Sequence, residues 1–200
     1  MTYKNTTPAP GIAIYEGVFS DPYDFIDSVE LVLNDKMSDI SYKRSTILGD
    51  ISNNNTDLVD AYRTSQEVRI NRNKYNEHFK KLEDKCNLVF DECLVSYRAE
   101  MRINYDVFCG EGFQLLKYEK NDHFGSHYDS YPESKRAVSG LLYLNDEYEG
   151  GEIEFVNFNL KIKPSAGTII LFPPNYPYRH IAHPVTNGTK YAIVTWFYER

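Results

Sequence analysis

The sequence predicts a mainly β fold with flanking α-helices, a sandwich or barrel of short strands, and three observations predict it. Beyond Met101, short aromatic and β-branched runs are separated by Gly, Pro, Asn and Asp, the texture of closely spaced strands. Ahead of Met101 lies the longest helical pattern, with apolar residues at three- and four-residue steps. The aromatic content is 17 Tyr and 11 Phe against 1 Trp, residue types that suit a pleated, half-buried surface. Two hundred residues suit one domain, residues 1–200, with a helical part over about 1–100 and a barrel-like part over about 101–200.

"GIAIYEGVF" at 11–19 alternates as a short strand does. A helix follows. Ser20 or Asp21 is placed to cap it, Pro22 suits its first turn, and Phe25, Val29, Val32 and Leu33 form its apolar stripe. Residues 34–57 are polar and read as an exposed loop, with a second loop over 63–75. From residue 76 the long helix carries Phe79, Leu82, Cys86, Val89, Phe90, Cys93 and Tyr97 on one face, with charges and His78 on the solvated side. The strand runs are "FQLLKYE", "AVSGLLYLN", "GEIEFVNFNLKIKP", "GTIILFP" and "YAIVTWFYE". No repeat, linker or low-complexity segment interrupts them.

Composition narrows the function classes. A net charge of −7 is a poor match to a phosphate backbone, which disfavours nucleic acid as a partner. Three cysteines without a C-x-x-C pair argue against a disulfide framework and for a reducing compartment, with Cys86 and Cys93 as core residues of the long helix. The N-terminal "MTYKNTTPAP" has no apolar h-region, and no run of 18 apolar residues exists, so a cytoplasmic chain is expected, as a monomer or weak dimer.

"HFGSHYDSY" at 123–131 carries the chemistry. On a strand, residues two apart point the same way, so His127 and Asp129 would face one side together. An imidazole and a carboxylate supply two metal bonds, and a second histidine would complete the set that leaves three octahedral positions open in non-haem Fe(II) oxygenases. Alone, His-x-Asp is as readily a polar strand edge. Downstream, "YRHIAHPVTNGTKYAIVTWF" offers His180, His183, Lys190 and Trp196.

Taken in order, Tyr118, His127-Tyr128-Asp129, "RAVSGLLYLN" from Arg136, "GGEIEF" from Gly150, "PSAGTIILF" from Pro164, "HIAHPVTNGTK" from His180 and finally Trp196 resemble the pattern of the prolyl 4-hydroxylase-like family of iron- and 2-oxoglutarate-dependent dioxygenases. The resemblance runs from Gln114 to Trp196 and is fainter upstream. It implies a double-stranded β-helix, a jelly-roll (cupin-like) barrel with the N-terminal helices packed outside.

The resemblance further implies a metal triad of His127, Asp129 and His180. His180, not His183, lies four residues before Pro184 and ten before Lys190, where the family places its ligand. Lys190 takes the place of the residue that pairs with the distal carboxylate of 2-oxoglutarate, and burial of such a dianion requires a cation. Without the motif it would be read as a surface lysine after the "NGT" turn. Tyr143 takes the place of a partner at the same carboxylate, Tyr118 of a co-substrate contact or a support behind the metal ligands, and Trp196 of a pocket wall, although plain core packing would account for all three. "YRTSQEVRI" at 62–70 resembles the start of the substrate loop, which makes Arg63 and Ser65 candidates for substrate contact, beside the plainer reading of a solvated arginine and a helix cap.

The implied activity is hydroxylation of an unactivated C–H, foremost in peptidyl proline, with 2-oxoglutarate and O2 consumed to succinate and CO2 over Fe(II), and with ascorbate as a candidate reductant. No catalytic residue beyond the metal ligands is required, and the Asp129 carboxylate favours hydroxylation over halogenation. The partner expected is a proline-containing peptide or protein. The alternatives are the same chemistry on another residue, a free amino acid or a nucleobase, and a non-catalytic metal- or peptide-binding jelly roll.

Overall fold

Alternation decides which way each strand turns its side chains, and in this chain it separates a helix-covered face from a hollow one. The computed structural model describes residues 3–34, 40–45, 62–70 and 77–200. Its largest sheet runs β1 (Lys4–Ala9), β2 (Ile12–Glu16), β12 (Thr168–Phe172), β8 (Arg136–Tyr143), β15 (Lys190–Glu199), β6 (Phe113–Tyr118), β4 (Gln66–Ile70) and β3 (Lys43–Arg44), with β5 (Val107–Cys109) also paired to β15. A second sheet runs β11 (Leu160–Ile162), β10 (Ile153–Phe155), β13 (His180–Ala182) and β7 (Phe124–His127). A small ribbon joins β14 (Val185–Asn187) to β9 (Glu149–Gly150). All pairings are antiparallel. The two larger sheets form the expected double-stranded β-helix.

On the outer face of the large sheet, Leu115, Leu142, Ile169, Ile193 and Phe197 join one apolar core with α1 (Pro22–Leu33) and α2 (Glu77–Glu100). The stripe expected on α2 is buried throughout, with Leu94 added to it. Gly140 makes this contact possible. A Cβ there would sit 2.8 Å from the Phe90 ring, so only glycine lets the helix approach the sheet this closely. On the inner face, Tyr143, Ile170 and Ala192 meet Ile153 and Phe155 of the second sheet.

Several expectations need correction. Helices do not simply precede strands. The N-terminal part supplies β1 to β4 to the large sheet, because edge strands can be drawn from any part of a chain. β1 is one such edge, solvent-exposed and carrying Pro8, which an edge tolerates because one row of its backbone groups is unpaired. Asp21 stands at the start of α1 but makes no capping bond, since its carboxylate is taken by Ser20 at 2.7 Å and Lys85 at 3.3 Å. Ile26 joins the α1 stripe and Leu33 is only half-buried. The loops expected at 34–57 and 63–75 lie partly outside the described residues. Where described, residues 43–44 and 66–70 are strands, not loop. The run at 151–164 divides into two strands around a 3-10 turn at Val156–Phe158. Among the described residues, no helix is long and apolar enough to cross a membrane.

Candidate functional site

Strand register builds the first half of the site. His180 of β13 stands directly opposite His127 of β7, which brings the ring centroids to 4.2 Å. Each imidazole is oriented by a backbone carbonyl two residues earlier, His127 Nδ1 by Gly125 O at 2.8 Å and His180 Nδ1 by Tyr178 O at 3.0 Å. A carbonyl only accepts, so each Nδ1 carries a proton, and Nε2 is the nitrogen left to face the interior. Both Nε2 atoms face one oxygen of Asp129, at 3.6 Å from His127 and 4.0 Å from His180. The three donor atoms lie within 4.8 Å of one another, a spacing that fits a single cation.

Asp129 does not sit on a strand, as its spacing from His127 suggested. β7 ends at His127, and Asp129 lies on the turn beyond, where its N–H and that of Ser130 both donate to Pro174 O at 2.9 Å. Its position is then fixed from three sides. Ser139 Oγ donates to the outer carboxylate oxygen at 2.6 Å, Arg136 donates to its carbonyl at 2.6 Å, and the Trp196 indole N–H is turned toward the carboxylate. That N–H completes no hydrogen bond of ordinary geometry and is buried. Ser139 and Trp196 are cross-strand partners on β8 and β15, so register again places two groups together. Arg136 lies flat over the Trp196 ring at 3.6 Å and forks onto Glu111 at 2.5 and 2.7 Å.

Electrostatics match a cation site. Burial, reinforced by the neighbouring His180, pushes the His127 imidazole down to about 3, so it is neutral and able to ligate. Burial alone would raise the Asp129 carboxyl, but the two imidazoles and Ser139 outweigh it and hold the group below its ordinary range.

Lys190 opens the deeper part of the same cavity. It is 2% exposed and stands opposite Tyr118 across the β15–β6 pairing. Its ammonium donates to Gly151 O at 2.6 Å and lies 5.0 Å from the Tyr118 ring centroid and 5.3 Å from that of Tyr143. Gly150 and Gly151 take φ of +69° and +65°, the left-handed turn that carries this carbonyl inward. Burial lowers the ammonium to about 7 against the pull of Glu152. Leu116, Leu141, Ile153, Ala192 and Val194 line the space between Lys190 and the His/Asp/His group.

The remaining candidates fall around this cavity. Arg63 lines it, with its guanidinium 4.5 Å above the Phe124 ring, which in turn stacks on His127. Ser65 is fully buried. It accepts from Arg63 Nε at 3.2 Å and bonds Ser45 at 3.1 Å, so it steadies Arg63. His183 is turned away and pairs with Glu154 at 2.6 Å, and His123 is bound at Asn121 O, 3.2 Å away. The supports of Asp129 were not assigned from sequence. Arg136 and Ser139 were visible in their motif, but nothing local marks Glu111 as the partner of Arg136.

Comparison with known proteins agrees with this geometry. Residues 113–198 match the family model of the 2OG-Fe(II) oxygenase superfamily. A putative prolyl 4-hydroxylase of Acanthamoeba polyphaga mimivirus is 33% identical over 110 residues, covering 45% of this chain and 46% of the relative. Probable prolyl 4-hydroxylase 9 of Arabidopsis thaliana is 34% identical over 116 residues, covering 44% and 40%. The chain thus spans less than half the length of these relatives. Among solved structures, a Trichoplax adhaerens prolyl hydroxylase in complex with a hypoxia inducible factor oxygen degradation domain peptide superposes with a TM-score of 0.74 at 19% identity, covering 96% of this chain and 84% of that one. The viral collagen prolyl hydroxylase of Paramecium Bursaria Chlorella virus-1 gives 0.64 at 21%, covering 94% and 95%.

Proposed function

We propose that this chain is a prolyl hydroxylase-like 2OG-Fe(II) oxygenase and that it hydroxylates an unactivated C–H of peptidyl proline. The observation that carries this reading is the convergence of two imidazoles, one carboxylate and one buried lysine on a single apolar-walled cavity. Fe(II) supplies the oxidising chemistry when bound, with 2-oxoglutarate and O2 consumed to succinate and CO2 as C–H becomes C–OH.

His127, Asp129 and His180 are the residues that would hold the metal. Ser139 and Arg136 keep the Asp129 carboxylate at a fixed angle, so its free oxygen points between the imidazoles. Lys190 is suited to the distal carboxylate of the 2-keto acid. Among the described residues its ammonium contacts a carbonyl and aromatic faces and feels Glu152 only at a distance, an arrangement that an incoming anion improves. Tyr118 and Tyr143 wall that end, and Trp196 walls the end near Asp129. The aliphatic lining keeps water from the reacting centre. No side chain is assigned a proton-transfer role.

Anaerobic titration with Fe(II) and 2-oxoglutarate tests the reading through its visible charge-transfer band. The band is expected in the native chain and in His183→Ala, and absent in His180→Ala. Succinate release with a gain of one oxygen mass on a proline peptide completes the assignment. A native chain with no band would leave a non-catalytic binding protein in its place.

A further inference from the structure

Charge at the mouth of the cavity does not cancel. Arg63, Glu67, Arg69, Glu111 and Arg136 wall it, and Arg179 lies beside it with its guanidinium 5.3 Å above the Tyr128 ring. Two of these four arginines are already matched. Arg63 pairs with Glu67 at 3.6 Å. Arg136 occupies both oxygens of Glu111, and Tyr198 Oη donates to one of them at 2.9 Å. Arg69 helps to hold the Glu111 carboxyl low through space but makes no ion pair with it. Arg69 is exposed, on β4. Arg179, just ahead of β13, gives Nη1 to a neutral acceptor, Ser126 O, at 3.0 Å.

Among the described residues, then, two guanidinium groups flank the opening from opposite sheets and neither is matched by a carboxylate of its own. The chain as a whole runs the other way, with 29 acidic against 22 basic side chains, so the local surplus is not a by-product of composition. The interior does not absorb it. Asp129 faces inward, toward the two imidazoles.

We infer that the mouth selects an acidic peptide, an extended chain with Asp or Glu on both sides of the hydroxylated residue, whose flanking carboxylates dock on Arg69 and Arg179. This rests on the peptide-hydroxylase reading above and adds what that site discriminates. A guanidinium fork matches the two oxygens of a carboxylate, and the exposed rings of Tyr128, under Arg179, and Tyr131 supply apolar contact at the same mouth. A nucleic-acid strand would meet the same arginines but also the field of a chain with net charge −7, which a short acidic peptide meets with far fewer charges.

The test is binding to the full chain, read by anisotropy of fluorescein-labelled peptides. One proline-centred sequence is flanked by Asp/Glu, by Gln or by Lys, and a single-stranded oligothymidine serves as the other polyanion. The acidic peptide is expected to bind tightest and to weaken as salt rises. Arg69→Gln and Arg179→Lys separate charge from packing: the first should cost roughly threefold on the acidic peptide and leave the Gln peptide unchanged, and the second should cost less than Arg179→Gln. Arg69→Glu should move the preference toward the Lys-flanked peptide. Equal binding of acidic and basic peptides, or tighter binding of the oligonucleotide, would overturn the inference. Mass gain on the same peptides is scored separately. Acidic preference without oxygen transfer would support the inference and count against the hydroxylase reading. Oxygen transfer without acidic preference would do the reverse.

Discussion

Strand β15 has one face turned to the helices and one turned to the cavity, and the two are filled on opposite principles. Outward, Ile193 and Phe197 are sealed under α2, with Phe90 and Phe113 stacked on one another beside Phe197. Inward, Lys190, Ala192, Val194 and Trp196 alternate with them and leave space. The outer residues are large where contact is wanted. The central inner residues are small where a ligand is to sit, and the polar ones stand at the two ends. The lesson is that period two lets one strand serve stability and chemistry at once, with little exchange between them.

Substitutions on each face test that separation. The largest effect is expected from Asp129→Ala, which removes the carboxylate between the imidazoles. Turnover should fall by roughly a thousandfold or more, while thermal melting by circular dichroism stays close to that of the native chain, because Arg136 binds the backbone carbonyl of Asp129 rather than its side chain. Undiminished turnover in that variant would sink the assignment. Phe197→Ala, on the sealed face, should cost about 3–5 kcal/mol in urea unfolding, with the metal–co-substrate band retained at temperatures where the variant remains folded. Loss of the band in that folded variant would show that the faces are coupled.

Ala192→Leu sharpens the comparison from the inside. Its partner residues across the sheet are Leu116 and Tyr143, and the added carbons enter the space between Lys190 and the His/Asp/His group. Affinity for 2-oxoglutarate should drop by roughly a hundredfold for a stability change of about 1–3 kcal/mol. Calorimetric titration at constant metal measures it.

The smallest effect is one of pH. Burial holds the empty protein's Lys190 at about 7. An anion beside it favours the charged form, so the bound lysine titrates higher. Affinity for 2-oxoglutarate should therefore be level below about pH 7 and fall as pH rises above it, by up to about tenfold per unit until the bound lysine itself titrates. Binding above pH 7 should take up a proton, seen as a buffer-dependent heat. A pH-independent affinity would mean that the lysine charge does not serve the ligand.

Much of this was legible in the sequence, and the rest was not for a physical reason. The strands ending at Tyr118 and Tyr143 and the buried face of α2 follow from local periodicity, which side-chain direction alone imposes. The choice of His180 over His183 followed from motif spacing, and the structure turns only His180 toward Asp129. What escaped depends on contacts between distant parts of the chain. The joining of β4 to β6, the pairing of Glu111 with Arg136, and the seat of Asp129 on Pro174 O are each set by strand order. No local pattern encodes them.

The direct pairing of His127 with His180 also has a kinetic meaning. The two residues are 53 positions apart in the chain and meet only when β7 and β13, of four and three residues, align in one register. A slip of either strand by one residue would turn its imidazole to the wrong face and part it from the other. The three-donor group is therefore complete only once β7 and β13 have paired. A chain in which the two strands have not paired carries only His127 and Asp129 of the set, so tight uptake of a divalent cation would serve as a receipt for correct pairing.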